Sequence, residues 1–458
     1  MTDPITLLSR YVYTPLVAIR RKRVPTAWLK FLNSLAHKTP EEVRDIQLFR
    51  LGEHLRYFHA KNPFYRTVME KAGIDVTAPI GWEEFRRLPV LTKTALQADK
   101  DAMKTQDPNL QVVAENMTGG STGRPLAFWQ DSEYWAAAVA ADSFVRSWWG
   151  VPPVCRTHGL WGSDRDLGER NWKERITASL CRIRTVDSFR MSNERIEAFI
   201  AEVAAWRPEY IMGYASSLHL VAKYLLERGR SVEGPIAIRS TAETLFPEQR
   251  ADIEKAFSSK VYNFYGSREC NNIAAECTMQ NGLHVLAGTR IVEIVNERNE
   301  AVENGTVGKI VVTDLVNRAF PFIRYEIGDL GAMTSEPCSC GLPFDRLSQV
   351  TGRVSDVLVS ARGDLVHGEY VTHLFYGMKG VKSFQVVQEN YNELTLYVEK
   401  DESCPDELNL THAVESIQKA MGGVAVHVEF TRGAERGSSG KHRFIISKVS
   451  PFTSGSNN

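Results

Sequence analysis

Between residues 192 and 265 the chain alternates amphipathic stretches with short apolar runs, and few folds accommodate that order. Ile196, Phe199, Val203 and Trp206 recur at helical spacing and predict a helix over 192–206. Residues 209–213 then read as a strand and 216–228 as a helix closed by Gly229. Pro247 opens a further helix over 247–257, and 261–265 is the next strand. Strands separated by helices imply parallel pairing with helical crossovers, hence an α/β fold with helices flanking a mostly parallel sheet.

The flanking segments extend this plan. Thr39, Pro40 and Glu42 form a helix-start signature, followed by Leu48, Leu51, Leu55 and Phe58 at helical spacing. That predicts a helix over 40–61, ended by Asn62-Pro63. Past residue 285 the pattern changes to hairpins, with Asn304-Gly305 as a turn and Ile310-Val311-Val312 as strand, which predicts a small barrel-like β region. Beyond residue 355 a small α+β unit is expected, with strands over 383–387, 394–399 and 424–430 and a helix over 410–421. The expected boundary lies at Gly352-Arg353, dividing the chain into a large unit, 1–352, and a small mobile one, 353–458.

Charge and composition narrow the partners. Lys+Arg and Asp+Glu are both 55 among 458 residues, without the basic excess of a nucleic-acid binder. No apolar run reaches membrane-spanning length and no secretory signal is visible, so a cytoplasmic location is expected. Residues 5–35 combine Leu7, Leu8, Val12, Leu16 and Trp28 with Arg10 and Arg20-Arg21-Lys22-Arg23. The basic residues cluster instead of following one helical face, so this stretch reads as a helical cap packed on the domain, and membrane contact is not expected.

Five short segments carry chemistry. Thr118, Gly119, Gly120, Ser121, Thr122, Gly123, Arg124 and Pro125 make a glycine- and hydroxyl-rich loop whose amides can approach phosphate oxygens, although the lysine of a P-loop is absent. Asn263-Phe264-Tyr265-Gly266-Ser267-Arg268-Glu269 follows a strand, where open α/β sheets bind ligands. There Tyr265 can stack on a base and Glu269 can hold magnesium. In Arg324-Tyr325-Glu326-Ile327-Gly328-Asp329, Asp329 suits a pair of ribose hydroxyls. In Thr351-Gly352-Arg353-Val354-Ser355-Asp356, Arg353 offers a rigid fork for phosphate or ribose. Lys441, after Gly437-Ser438-Ser439-Gly440, can swing in to neutralise an α-phosphate.

Cysteine placement adds a metal centre. Cys277, His284, Cys338 and Cys340 are four preferred zinc ligands, enough to close a structural site that would staple the hairpin region to the sheet. Cys270 is an alternative fourth ligand, or a small buried residue.

In this order and spacing the five segments resemble the adenylate-forming superfamily of acyl-CoA synthetases, adenylation domains and luciferase. Asn62-Pro63-Phe64-Tyr65-Arg66, Leu88-Pro89-Val90-Leu91-Thr92-Lys93, Glu276-Cys277 and Pro337-Cys338-Ser339-Cys340-Gly341 look like the phenylacetate–CoA ligase branch, including its capsular polysaccharide relatives. The resemblance implies ATP-dependent activation of a carboxylic acid, aryl or arylacetic, to an acyl-AMP, then transfer to coenzyme A. An amine or a carrier protein is the alternative acceptor. It implies that the loop 118–125 binds the ATP phosphates and that Glu269 binds magnesium. Tyr265, with Gly266 and Ser267 beside it, lines the adenine site, which the segment Thr241-Ala242-Glu243 borders. Asp329 holds ribose, Arg353 lies near the hinge and Lys441 is the catalytic lysine. Trp129, Trp135, Trp161, Tyr214 and Arg268 are candidates for the acyl pocket. Arg268 stands where the family has Ser or Thr before the glutamate, and Ser355 where its hinge often has Asp.

Overall fold

The computed structural model describes residues 4–20, 24–117, 126–161, 177–188, 191, 193–353, 357–362, 365–367, 371, 374–375, 378–402, 404, 408–431 and 444–449. A short hairpin, β1 (Val112–Met117) and β2 (Ala127–Asp131), precedes the main sheet. That sheet contains β3 (Thr157–Trp161), β4 (Ile183–Asp187), β5 (Tyr210–Tyr214), β6 (Ala237–Thr241), β7 (Val261–Ser267), β8 (Asn271–Glu276), β9 (Leu283–Val285), β10 (Arg290–Val295), β11 (Gly308–Asp314), β12 (Tyr325–Thr334) and β13 (Arg346–Arg353). Their order is β10-β11-β12-β13-β9-β8-β7-β6-β5-β3-β4. From β4 to β7 every pairing is parallel. From β7 to β10 every pairing is antiparallel.

The parallel half forms for the reason its sequence suggests. The helix Ala215–Leu226 carries Leu218, Val221, Ala222 and Leu225 on one face, and Pro247–Phe257 carries Ile253, Ala256 and Phe257. All of these are fully buried against Ile211, Ile238 and Val261. Each of the leucine, valine, isoleucine and phenylalanine side chains contributes about 1.5–3 kcal/mol by leaving water. The helix Pro40–Lys61 begins with the expected box: Glu42 N donates to Thr39 Oγ1 at 3.2 Å and Thr39 N to Glu42 Oε2 at 2.8 Å. It buries Leu51, Leu55 and Phe58 in the largest core.

The hairpin region continues the parallel strands edge to edge through β8, β9 and β13. The family signatures near the N-terminus serve this packing. Asn62 Oδ1 caps the helix Pro63–Lys71, and its amide donates to Met103 O at 2.8 Å. Leu91 pairs with β12 through Leu91 N to Arg324 O (2.8 Å) and Glu326 N to Leu91 O (2.9 Å).

After a two-stranded hairpin, β14 (Val357–Val359) and β15 (Leu365–His367), comes a separate four-stranded sheet, β18-β17-β16-β19, built from β16 (Val381–Asn390), β17 (Glu393–Lys400), β18 (Ala425–Phe430) and β19 (Ile445–Ser447). Its core packs Ala413 and Ile417 of the helix Thr411–Ala420 against Leu394, Leu396 and Val398. The strand and helix spans expected here are found, with ends displaced by at most three residues. Among the described residues no helix is long and apolar enough to cross a membrane.

His54 supplies a pH-sensitive element. It is 2% exposed, packs edge-on to Phe58, and leaves Nε2 without a hydrogen-bond partner. Burial, aided by Arg318, Arg50 and Arg290, lowers its pKa to about 3. The imidazole is therefore buried neutral, while the unfolded chain takes up a proton near pH 6.5. This contribution to stability is complete above that value and is lost as the pH falls toward about 3. Urea titrations should show stability falling on the order of a few kcal/mol over that window, and His54→Phe should flatten the slope.

Candidate functional site

The sheet changes from parallel to antiparallel at one turn, Arg268-Glu269-Cys270, between β7 and β8. Ser267 Oγ accepts from Cys270 N at 3.0 Å and closes it. Gly266 is required just before it: a Cβ there would lie 2.4 Å from the Asn271 carbonyl oxygen. Gln130 Nε2 donates to Arg268 O at 3.2 Å and Tyr134 Oη to Glu269 O at 3.2 Å, so β2 and the helix Ser132–Trp148 also hold the turn. From the other side, the buried Arg290 guanidinium donates Nε–H to Cys270 O at 2.7 Å and pairs with Asp314 at 3.2 Å.

Two tyrosines gather the acidic groups. Tyr265 Oη donates to Asp329 Oδ2 at 2.7 Å, and Tyr325 Oη donates to Glu269 Oε1 at 3.1 Å. Glu269 is 8% exposed, whereas Tyr265 and Asp329 are half-buried. Burial, with those carboxylates nearby, raises both tyrosine pKa values, so the phenols remain donors. Arg353 pairs in register with Asp329 across β12 and β13; its side chain lies outside the described residues. Thus Tyr265, Gly266, Ser267, Glu269, Asp329 and the backbone of Arg353 meet at one end of the sheet. Tyr325 was missed as a functional candidate, although it stands four residues before Asp329 in the same strand.

Next along the same strand ends, Trp161 stacks on Tyr214 at 4.8 Å with 30° between the rings. Glu243 Oε2 accepts from Ser216 N at 2.8 Å, which makes it the carboxylate at the N-terminus of the helix Ala215–Leu226. Burial raises its pKa against that bond. Ala242 before it is left-handed, with φ +67°. Trp129 packs on Phe320 in the core. Trp135 packs with Trp28, Tyr134, Ala137 and Val316, not with the Trp161–Tyr214 pair. Residues 118–125, Ser355 and Lys441 lie outside the described residues.

The four metal-ligand candidates do converge: one ligand atom from each of Cys277, His284, Cys338 and Cys340 lies within 4.8 Å of the others. Cys277 Sγ and Cys338 Sγ are 3.7 Å apart, and Cys340 Sγ is 3.3 Å from His284 Nε2. Sulfurs on a zinc tetrahedron with bonds of about 2.3 Å would stand about 3.8 Å apart. Met279 N and Leu342 N point at the Cys277 and Cys340 sulfurs at 3.4 and 3.5 Å. Burial holds His284 down to about 4 and, with the neighbouring thiols, pushes Cys277 up to about 12. Cys270 is instead fully buried beside Glu269, outside the cluster.

The demand on Gly266 is testable. Gly266→Ala should cost about 1–3 kcal/mol in urea unfolding, because the clash is with backbone. Gly159→Ala, whose Cβ would meet Thr185 at an ordinary 3.5 Å, should cost much less.

With this geometry in place, the likenesses to known proteins are informative. Residues 358–448 match the family model of the CapK C-terminal domain. The chain is 24% identical over 414 residues to Protein CapK of Staphylococcus aureus, covering 88% of this chain and 89% of that protein. It is 26% identical over 331 residues to a phenylacetate–coenzyme A ligase of Thermus thermophilus, covering 70% and 72%. Its fold matches 2-hydroxyisobutyryl-CoA ligase in the postadenylation state, with a TM-score of 0.65 at 23% identity over 88% of this chain and 89% of that one. Along most of its length the chain is thus similar both to CapK and to phenylacetate–coenzyme A ligases, and it shares the fold of 2-hydroxyisobutyryl-CoA ligase, while residues 358–448 match the CapK C-terminal domain.

Proposed function

We propose that this protein activates a carboxylic acid with ATP and transfers the acyl group to coenzyme A. The observation that carries the reading is the joining of Glu269 to Tyr325 and of Asp329 to Tyr265 at the turn where the sheet changes direction. On this reading the cluster supplies a carboxylate for magnesium, an aromatic face for adenine and an acceptor for ribose hydroxyls. In the first step a carboxylate oxygen attacks the α-phosphorus, the bond to the β-phosphate breaks, and pyrophosphate leaves an acyl-AMP. In the second, the thiol sulfur attacks the acyl carbon, its proton passes to solvent, and AMP departs.

Within this reading Tyr265 borders adenine, beside the 241–243 segment, and Asp329 accepts from ribose hydroxyls. Tyr325 orients Glu269 by engaging one carboxylate oxygen, which leaves the second for a cation. Bound magnesium offsets triphosphate charge. Loop 118–125 holds the phosphates, Lys441 neutralises the α-phosphate, and Arg353 sits at the hinge on which the unit 353–458 turns to admit the thiol. The Trp161–Tyr214 stack supports an aryl or arylacetic substrate, with Arg268 near its carboxylate. Pyrophosphate exchange against a panel of acids tests this. Lys441→Ala and Glu269→Gln should each lower exchange by about 100-fold or more with the best acid. Unchanged exchange in both variants would overturn the reading.

The acceptor admits a second reading. The likeness to CapK runs through the C-terminal unit, whereas that to the Thermus ligase covers 70% of the chain. An amine or a carrier-protein thiol is the alternative acceptor. Coenzyme A consumption against amino-sugar conjugation in the presence of the activated acid separates the two.

We further propose that Cys277, His284, Cys338 and Cys340 hold a structural zinc ion, supported by their four convergent ligand atoms. Metal analysis should find one zinc per chain. Chelation or Cys338→Ser should lower thermal stability, while leaving acid specificity unchanged. Metal-free protein of unaltered stability would reject the site.

A further inference from the structure

The N-terminal helical segment is turned inside out. It runs through Pro4–Leu8, a π-helical turn Ser9–Tyr13 and Thr14–Arg20. Thr6 and Ser9 face the protein at 1% exposure, whereas Tyr11 and Ile19 are 69% and 62% exposed. Ile5, Leu8, Val12 and Leu16 share the outward face, at helical spacing. Polar bonds anchor the inner face: Arg182 Nε donates to Thr6 Oγ1 (3.1 Å), Arg10 Nη2 to Val154 O (2.9 Å) and Tyr13 Oη to Thr177 Oγ1 (3.2 Å). The following helix, Thr26–Leu35, is the opposite case, for its Leu32 and Leu35 are buried in the core. Both helices therefore pack on the domain as the sequence led one to expect, the second through apolar side chains and the first through polar ones.

We propose that this outward face docks on an anionic lipid bilayer. Charge selects that occupant. Residues 4–40 contain Arg10, Arg20, Arg21, Lys22, Arg23, Lys30 and Lys38 and no Asp or Glu, in a chain whose 55 basic and 55 acidic residues cancel. An apolar stripe within a wholly basic segment matches acyl chains beneath negative headgroups. A symmetric pairing of two copies through this face would instead set two basic segments against each other. The anchors Val154 and Arg182 lie just before β3 and β4, at the strand ends opposite those carrying Trp161, Tyr214 and Tyr265. Docking therefore leaves the proposed cleft open to solvent.

Flotation of the full chain with phosphatidylglycerol/phosphatidylcholine vesicles and with pure phosphatidylcholine vesicles tests the proposal, alongside sedimentation velocity without lipid. Binding should favour the anionic vesicles by about tenfold or more and weaken with added salt. The double variant Leu8→Glu/Ile19→Glu, both exposed positions, should lose it and keep the wild-type melting temperature and pyrophosphate exchange. Absence of binding at low salt, equal binding to neutral vesicles, or full binding by the double variant would overturn it. An oligomer that the double variant dissolves would assign the face to a second copy instead.

Discussion

The buried guanidinium of Arg290 ties together the two halves of the main sheet where they must cooperate. Arg290 begins β10, at the far antiparallel edge, yet it donates to the carbonyl of Cys270, next to Glu269, and to its neighbour Thr289. Its counter-charge is Asp314, the last residue of β11, which also accepts from Val316 N and Asn317 N. Burial raises the Asp314 pKa, and Arg290 is the main opposing influence. Removing either partner would strand a charge in the core, a loss of about 3–5 kcal/mol, so the pair is costly to break whatever its net contribution.

Around that pair the architecture divides its tasks. Parallel strands with helical crossovers present a row of strand ends, from Trp161 through Tyr214 and Thr241 to Tyr265. The antiparallel strands bring Tyr325 and Asp329 to the end of that row. Arg324 fixes β12 there through a two-pronged bond to Glu293 (3.0 and 3.2 Å) and through the carbonyls of Arg86 and Leu88 (both 2.6 Å). The Cys277–His284–Cys338–Cys340 cluster links the β8–β9 hairpin to the long loop between β12 and β13. Two ion pairs, Arg290–Asp314 and Arg324–Glu293, thus tie down the strands around the acidic groups.

Legibility followed the range of the interaction. The helix 40–61 was readable because its cap and apolar face are local, and so were the crossovers of the parallel half. The end of β7 was not: it extends to Ser267 only because β8 pairs with Gly266 and Ser267. The packing of Trp135 with Trp28 was not legible either, since an indole on a helix face carries no mark of what it will meet. The orientation of the N-terminal segment was hidden for a related reason. Its composition declared amphipathicity, but not which face would be held by hydrogen bonds to the strands.

Sequence alone determined the element types and the chemical inventory: a strand-end glutamate, an aspartate after a glycine, two pairs of soft ligands. Periodicity and side-chain chemistry are properties of neighbouring residues and need no partner. Only the tertiary structure decided that Tyr325 holds Glu269, that Tyr265 holds Asp329, that Cys277, His284, Cys338 and Cys340 converge, and that an apolar face looks outward. Those outcomes depend on which strand lies beside which. That ordering is set by core packing summed over the whole sheet, which no local window of sequence contains.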